Sequence, residues 1–247
     1  MTPEESRELS RRNRRSFLGL GAGLAAAWGA WTLASNSADS DGIPVAFRKT
    51  LQWNESVSSN LLYSANNLAP EFPASAIGEL RENGTIGLGD DRPQANWQVA
   101  LTLRQGTPPV KVGLTAIQEL PEYRQTTEFK CIEGWSTVAS WKGTRFSDFV
   151  KKFAPDSPRE SKWVGLDTPD EEYYVGLDMA SALHPQTMLA WELNGAPLTE
   201  EHGAPLRLVI PVKYGIKNIK RIATISFTAQ RPNDYWAERG YDYYSGL

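Results

Sequence analysis

Cysteine and histidine are nearly absent from this sequence, whose 247 residues include one Cys and two His. A single Cys excludes a disulfide framework, a zinc ribbon and a CxxC redox pair. One Cys and two His cannot form a Cys/His zinc finger, which needs at least two Cys, and no CxxCH haem attachment site is present. The formal net charge of -3 argues against a nucleic-acid-binding surface, which needs clustered basic residues. We therefore expect no nucleic-acid partner.

Glycine and proline, with 20 and 16 residues, follow no period, which excludes a collagen-like chain. Hydrophobic and charged residues make up 40% and 22% of the chain, proportions that are typical of a globular protein. A chain of this length holds one domain, or two at most. Tryptophan is abundant, with nine residues, which predicts a large aromatic core or an aromatic-lined cleft.

The only long apolar run lies near the N-terminus. Residues 13–18 read NRRSFL, and the segment 16–34 carries no charge. Paired arginines before an apolar run are typical of a twin-arginine export signal. We predict such a signal over residues 1–38, with cleavage after Ala34 or Ala38. The alternative is an uncleaved membrane anchor, because about 18 apolar residues reach the lower limit of a bilayer span.

The rest of the chain, residues 42–247, contains no linker and no repeat, and we predict one domain there. Apolar residues at i, i+3, i+4 and i+7 predict a helix over Phe146–Phe153, and weaker patterns predict helices over 114–120 and 179–183. Alternating or β-branched runs predict strands over 97–103, 126–132, 163–166, 173–177, 206–212 and 219–228. Strands with isolated helices and no βαβ alternation indicate an α+β, mostly-β fold. No GxGxxG follows a strand, which argues against a Rossmann dinucleotide site.

Cys131 lies at the end of a predicted strand, directly before a glycine-containing turn. An unpaired cysteine in an exported protein is a buried hydrophobe, a reactive thiol or a metal ligand. It lacks the preceding His-Gly of exported cysteine transpeptidases, and the nearby Ser136 lacks the second glycine of a nucleophile elbow. The 29 acidic residues leave a glycosidase carboxylate pair open.

A second group of polar residues occupies positions 202–220. His202 precedes a predicted strand that begins near Arg207, and three lysines surround the turn at Gly215. Cations and free backbone N–H groups that converge at strand ends form a pocket for an anion. The alternative interpretation is a solvated basic loop.

Four sequence blocks occur in a fixed order: residues 66–72 (NNLAPEF), 131–136 (CIEGWS), 165–168 (GLDT) and 202–220. In that order they resemble the sulfite-oxidase-type molybdenum-cofactor family, and within it the branch of periplasmic methionine-sulfoxide reductase catalytic subunits. The resemblance implies a mixed, mostly-β molybdopterin-binding fold. A twin-arginine signal suits this family, because that route exports proteins already folded around a cofactor.

The resemblance implies that Cys131 is the catalytic thiolate and the protein's ligand to molybdenum, a soft-ligand site. The dithiolene sulfurs of the cofactor would supply the other ligands, so one cysteine suffices. The resemblance implies further cofactor contacts from seven residues: Asn66, Thr168, His202, Arg207, Asn218, Ile219 and Lys220. Of these, His202 and Arg207 would hold the pterin or its phosphate, and residues 218–220 would close around the phosphate.

The residues after Cys131 bear on the substrate. Glu133 and Trp135 follow it where the sulfite-oxidising branch has a basic stretch. An acidic, aromatic rim repels an anion such as sulfite and favours a neutral thioether or its S-oxide. We therefore expect oxygen-atom and two-electron transfer, with reduction of a small or protein-bound sulfoxide. Glu133 is a candidate proton donor, and the alternative is a solvated carboxylate.

The chain carries no haem motif, so we expect electrons from a separate protein, either a membrane haem protein or a periplasmic electron carrier. Aromatic residues crowd the C-terminus, including Tyr235, Trp236, Tyr241, Tyr243 and Tyr244, and form either a docking tail or a packing tail. Two other functions stay open at this point: a sulfite-oxidising enzyme, and a non-catalytic exported carbohydrate- or ligand-binding module with a tryptophan-rich surface.

Overall fold

The computed structural model describes residues 3–40, 42–89, 95–104 and 106–247. The α-helices in this part are α1 (Pro3–Ser35), α2 (Val45–Val57), α3 (Leu114–Gln118), α4 (Phe146–Phe153), α5 (Ser157–Glu160) and α6 (Met179–Ala182). The strands are β1 (Asp39–Ser40), β2 (Ile43–Pro44), β3 (Gln98–Thr102), β4 (Val110–Gly113), β5 (Glu122–Lys130), β6 (Ser136–Arg145), β7 (Trp163–Asp167), β8 (Tyr174–Asp178), β9 (Met188–Leu193), β10 (Ala196–Pro197), β11 (Arg207–Val209) and β12 (Thr224–Thr228).

The first sheet is built on the antiparallel hairpin of β5 and β6. Its strand order is β10-β9-β6-β5, and β11 also pairs with β9. The register of β6 against β9 shifts between Lys142 and Gly143. A β-carbon on Gly143 would lie 1.9 Å from the backbone oxygen of Leu189, so only glycine allows the two strands to approach this closely.

The second sheet has the order β4-β3-β12-β7-β8. All its neighbouring strands are antiparallel except β3 and β12, which pair in parallel with Thr224 opposite Ala100. In that parallel pair, a strand from the first half of the chain lies beside a strand near its end. The second sheet is therefore complete only when β12 is in place.

The main core lies between the inner faces of the two sheets and includes α4. Phe146 and Phe149 of α4 are fully buried in it, as the helical spacing of the apolar residues predicts. A smaller cluster around Trp141, Met188 and Ala190 covers the other face of the first sheet. Because side chains alternate along a strand, β9 contributes Leu189 to one core and its two neighbours to the other.

The sequence predicted this mixed, mostly-β architecture correctly, and the predicted helix Phe146–Phe153 has its bounds as predicted. Two predicted strands are shorter than expected by four residues or more. Strand β11 ends at Val209 because the next amide, that of Ile210, donates to the side chain of Asn218 at 2.8 Å. Strand β12 begins only at Thr224, because Arg221 has a φ of 50°, outside the extended conformation.

The sequence did not predict strands β6 and β9 or helix α2. Strand β9 is covered on both faces, so its sequence shows a continuous apolar run rather than an alternation. The one buried residue of helix α2 is Arg48. A helix that buries a charged residue does not show the apolar stripe from which helices are predicted. Polar contacts hold this helix instead: Arg48 donates to the backbone oxygens of Ala237 and Tyr241 at 2.6 and 3.1 Å, and Glu55 forms an ion pair with Arg231.

Helix α1 covers most of the predicted export signal. Near its end, Trp31 contacts Phe47 of α2, with ring centroids 5.6 Å apart. Within residues 3–40, 42–89, 95–104 and 106–247, we find no helix with the length and apolarity that a membrane crossing requires.

Candidate functional site

The turn between β5 and β6 positions Cys131. The cysteine amide donates to the backbone oxygen of Trp135 at 2.9 Å, and the amide of Gly134 donates back to that of Cys131 at 3.1 Å. Gly134 has a φ of 89°, a conformation that favours glycine. The hairpin thereby places the cysteine at the predicted location, directly after the end of a strand.

Cys131 lies in a cleft that opens to solvent. Three of the residues predicted to bind the cofactor, Arg207, Asn218 and Lys220, line the same cleft. Asn83 also lines it and donates from its side-chain amide to the Cys131 sulfur at 3.3 Å. Burial raises the pKa of the Cys131 thiol above its ordinary value, so the metal-free thiol is protonated at neutral pH.

Arg207 brings a buried positive charge to this cleft. Its side chain is 2% exposed, and its guanidinium donates to the backbone oxygens of His202 and Asn218 at 2.9 and 3.1 Å. Its Nε has no hydrogen-bond partner, and no carboxylate among the described residues forms an ion pair with it. Burial lowers the pKa of Arg207 to about 10, still well above neutral pH, so a full positive charge stays inside the protein.

Lys220 adds a second cation, which is half-buried. Its ammonium group donates to the backbone oxygens of Glu82 and Gly84, and it forms no ion pair within the described part of the chain. Burial, followed by repulsion from Arg207, lowers the pKa of Lys220 to about 8. A buried and a half-buried cation without a carboxylate partner are costly unless an anion neutralises them.

Asn218 fixes the chain between these two cations. Its side-chain oxygen accepts from the amide of Ile210 at 2.8 Å, and its side-chain nitrogen donates to the backbone oxygen of Tyr214 at 3.1 Å. A free thiol, two unneutralised cations and an anchored loop therefore meet in one cleft. This donor set fits a molybdopterin, which offers a soft metal for the thiol and a phosphate for the cations.

The other residues predicted to bind the cofactor lie outside the lining of this cleft. Asn66 is exposed in the loop after α2, and Ile219 is fully buried in the main core. Thr168 is buried, and its hydroxyl donates to Asp170 at 2.6 Å. His202 lines a neighbouring depression with Glu82, and its backbone oxygen accepts from Arg207. Burial, assisted by Arg207, lowers the pKa of His202.

Several residues of the cleft were not predicted from the sequence: Asn83, Ile86, Tyr173, Trp236 and Tyr241. An Asn-Gly pair such as residues 83–84 indicates only a turn, and the aromatic C-terminal residues indicated only a docking or packing tail. The expected rim is also different from the one observed. Glu133 lines the cleft, whereas Trp135 packs beside Phe129 with ring centroids 5.9 Å apart.

Residues 88–236 match the family described as the oxidoreductase molybdopterin binding domain. That segment covers more than half of the chain. The chain belongs to this family. It is therefore a molybdopterin-dependent oxidoreductase, and the cofactor and enzyme class predicted from the sequence are confirmed.

Curated relatives extend this family match. The putative protein-methionine-sulfoxide reductase subunit YedZ1 of Azospira oryzae is 32% identical over 84% of this chain and 79% of its own. The protein-methionine-sulfoxide reductase catalytic subunit MsrP of Campylobacter jejuni is 28% identical over 96% of this chain and 81% of its own. For MsrP of Xanthomonas axonopodis the identity is 36%, over 55% of this chain and 47% of its own.

Among solved structures, the sulfane dehydrogenase SoxCD of Paracoccus pantotrophus has a similar fold. The TM-score is 0.51 with 18% sequence identity, over 68% of this chain and 46% of that one. At this identity the likeness concerns the fold alone. It confirms the fold class predicted from the sequence.

Proposed function

We propose that this molybdopterin oxidoreductase reduces a neutral S-oxide of the methionine-sulfoxide type. The observation that carries the proposal is the cleft itself, in which one thiol and two unneutralised cations meet beneath apolar side chains. The naming of its relatives as methionine-sulfoxide reductase subunits supports the same substrate class. The net reaction consumes two electrons and two protons per sulfoxide and yields a thioether and water.

The cofactor would be held by residues of this chain from two sides of the cleft. Cys131 would give up its proton and bind molybdenum as a thiolate, because metal coordination deprotonates a thiol. Arg207 and Lys220 would neutralise the cofactor phosphate through charge-assisted hydrogen bonds. When bound, the cofactor supplies the oxygen-atom and electron-transfer chemistry, and the protein binds and orients it.

The remaining predicted contacts, from Asn66, Thr168, His202, Asn218 and Ile219, stay part of this proposal. The side chain of Asn218 already bonds to backbone groups on both sides, which supports a role in shaping the phosphate loop. Ile219 is buried in the core, so it would contribute through its backbone. The buried side chain of Ile219 would hold residues 218–220 in place.

The chemistry at the mouth of the cleft favours a neutral substrate. Ile86 and Ile132 line it and are 40% and 37% exposed, and the Glu133 carboxylate accepts from the Trp135 indole at 3.1 Å. Apolar side chains suit the methyl and methylene groups of a thioether, and a carboxylate opposes an approaching anion. Glu133 would be the candidate proton donor, because it lines the same cleft as Cys131.

We further propose that the protein is exported to the periplasm by the twin-arginine signal of residues 1–38, and that residues 42–247 form the catalytic domain. Electrons would come from a separate membrane haem protein or a periplasmic carrier, since the sequence has no haem attachment motif. Replacement of both Arg14 and Arg15 by lysine should block export. Fractionation of cells that produce the wild type or the double variant tests this, by comparing the amount of protein in the periplasmic fraction.

The proposed activity is tested with the purified, molybdenum-loaded protein and a reduced dye as electron donor. We expect the reduced dye to give up two electrons for each methionine sulfoxide that is converted to methionine. Sulfite with an oxidised dye is the comparison, because a sulfite-oxidising enzyme is the second candidate. Sulfite turnover that equals turnover of the sulfoxide would contradict the proposal.

A further inference from the structure

A wall of aromatic side chains lines the same cleft as Cys131, and it comes from the C-terminal segment of the chain. Trp236 and Tyr241 both line the cleft. Their rings pack edge to face with centroids 5.1 Å apart. Tyr241 is 38% exposed, so part of this aromatic surface remains open to a ligand.

The wall is held in place on both sides. The Tyr241 amide donates to the Trp236 backbone oxygen at 3.0 Å, which closes the segment on itself. From α2, Arg48 donates to the backbone oxygens of Ala237 and Tyr241. From the other side, Asp234 accepts from the amides of Ala237 and Gly176, both at 3.1 Å. The segment is thus fixed to the second sheet and to α2.

Apolar surface gathers at this cleft from three separate parts of the chain. Ile86 comes from the loop before β3, Ile132 from the hairpin turn and Tyr241 from the C-terminal segment. Each of these three side chains is more than one-third exposed and each lines the cleft. Exposed apolar side chains that converge on one concave site mark a binding surface for an apolar ligand.

We infer that Trp236 and Tyr241 determine substrate specificity, by binding the apolar part of a methionine sulfoxide together with its flanking peptide backbone. This inference rests on the proposed function. Large, rigid aromatic rings give much contact area at a small cost in conformational entropy. A peptide-borne sulfoxide is long enough to contact both rings, whereas dimethyl sulfoxide offers only two methyl groups. The wall therefore favours the larger substrate.

The test compares variants at the wall with a matched aromatic control. Trp236→Ala and Tyr241→Ala should raise the KM for a methionine-sulfoxide peptide about tenfold, the range of an interface anchor. The rise for dimethyl sulfoxide should be at least threefold smaller. Trp236→Phe should restore most of the peptide affinity, because it keeps an aromatic ring. The control is Trp53→Ala, an exposed tryptophan of α2 that does not line the cleft.

Two further measurements separate this inference from the proposed function. Molybdenum content should equal that of the wild type in all four variants, because the wall does not hold the metal. Isothermal titration calorimetry with the peptide measures binding without turnover, so it decides the inference even if the wild type reduces no sulfoxide. An equal rise in KM for the peptide and for dimethyl sulfoxide would overturn the inference. Unchanged peptide binding in both alanine variants would overturn it as well.

Discussion

At the scale of single residues, Arg207 and Lys220 are two positive charges at the cleft that no carboxylate of the described residues neutralises. Arg207 is buried and Lys220 half-buried at the cleft, and neither forms an ion pair with a carboxylate in the described part of the chain. Such groups normally lose their charge or acquire a partner. Burial lowers the pKa of both, to about 10 and about 8, and an anionic cofactor would reverse that effect.

The lowered pKa of Lys220 predicts a pH-dependent affinity for anions. An anion binds the charged form of the lysine, so affinity is complete below pH 8 and falls as the pH rises through the pKa of the free protein. At pH 9 we expect sulfate to bind the cofactor-free, full-length protein about tenfold more weakly than at pH 7. Isothermal titration calorimetry measures this, and sulfate keeps the same charge throughout.

The control for this prediction is Lys220→Gln, whose sulfate affinity should be weak and nearly independent of pH between 7 and 9. Equal sulfate affinity at both pH values in the wild type would show that Lys220 does not bind the anion.

The residues of the cleft differ in how well the sequence predicts them. Cys131, Arg207, Asn218 and Lys220 lie in two compact sequence blocks, where thiol and cations already suggest a site. Trp236 reaches the cleft only because a distant helix and the second sheet hold its segment. Interactions of that kind leave no local pattern in the sequence.

At the scale of elements, the close approach of β6 and β9 sets the geometry of the first sheet. Gly143 lies at the register shift, where a β-carbon would overlap the backbone of Leu189 and Ala190. We expect Gly143→Ala to lower the free energy of unfolding by at least about 3 kcal/mol, since backbone rather than a flexible side chain must move. Urea unfolding, followed by circular dichroism, provides the measurement.

Gly113→Ala is the matched control, because a β-carbon there would have no neighbour within 4 Å. Its unfolding free energy should stay within about 1 kcal/mol of the wild type. Similar losses in both variants would contradict the importance of the strand contact.

Helix α2 and the C-terminal segment form a second coupled pair of elements. Arg48→Ala removes the hydrogen bonds that the guanidinium donates to the carbonyls of Ala237 and Tyr241. The expected loss of stability is about 1–3 kcal/mol. Because the aromatic wall loses its support, the KM for a sulfoxide peptide should rise while the molybdenum content is retained. An unchanged KM would show that α2 does not position the wall.

The sequence predicts strands with one buried face and helices with a clear apolar stripe, and it does not predict the others. Helix α4 shows its stripe directly, with Phe146, Phe149 and Val150 buried. Helix α2 buries an arginine instead, and β9 is buried on both faces. These two elements are specified by their tertiary partners rather than by local periodicity.

At the scale of the whole molecule, both ends of the folded chain contribute to the cleft, one by lining it and the other by support. The C-terminal segment supplies its aromatic wall, and α2 near the N-terminus holds that wall. Cleavage at the predicted site after Ala38 would leave β1, β2 and α2 intact. The mature protein would thus keep every contact described for the cleft.

This arrangement predicts different outcomes for two N-terminal truncations. A chain that begins at Asp39 should keep the molybdenum content and melting temperature of the full chain. A chain that begins at Ser58 lacks α2 and should melt at a lower temperature, by several degrees for each kcal/mol lost. Thermal unfolding of both chains provides the comparison. Identical melting of the two truncated chains would contradict a structural role for α2.

The most direct test of the whole account is the molybdenum content of the purified protein, made in a host that synthesises molybdopterin. We predict one molybdenum atom per wild-type chain and none in Cys131→Ala, whose circular dichroism should match that of the wild type. Wild-type protein that is folded but free of molybdenum, or a Cys131→Ala variant that retains it in full, would contradict the account.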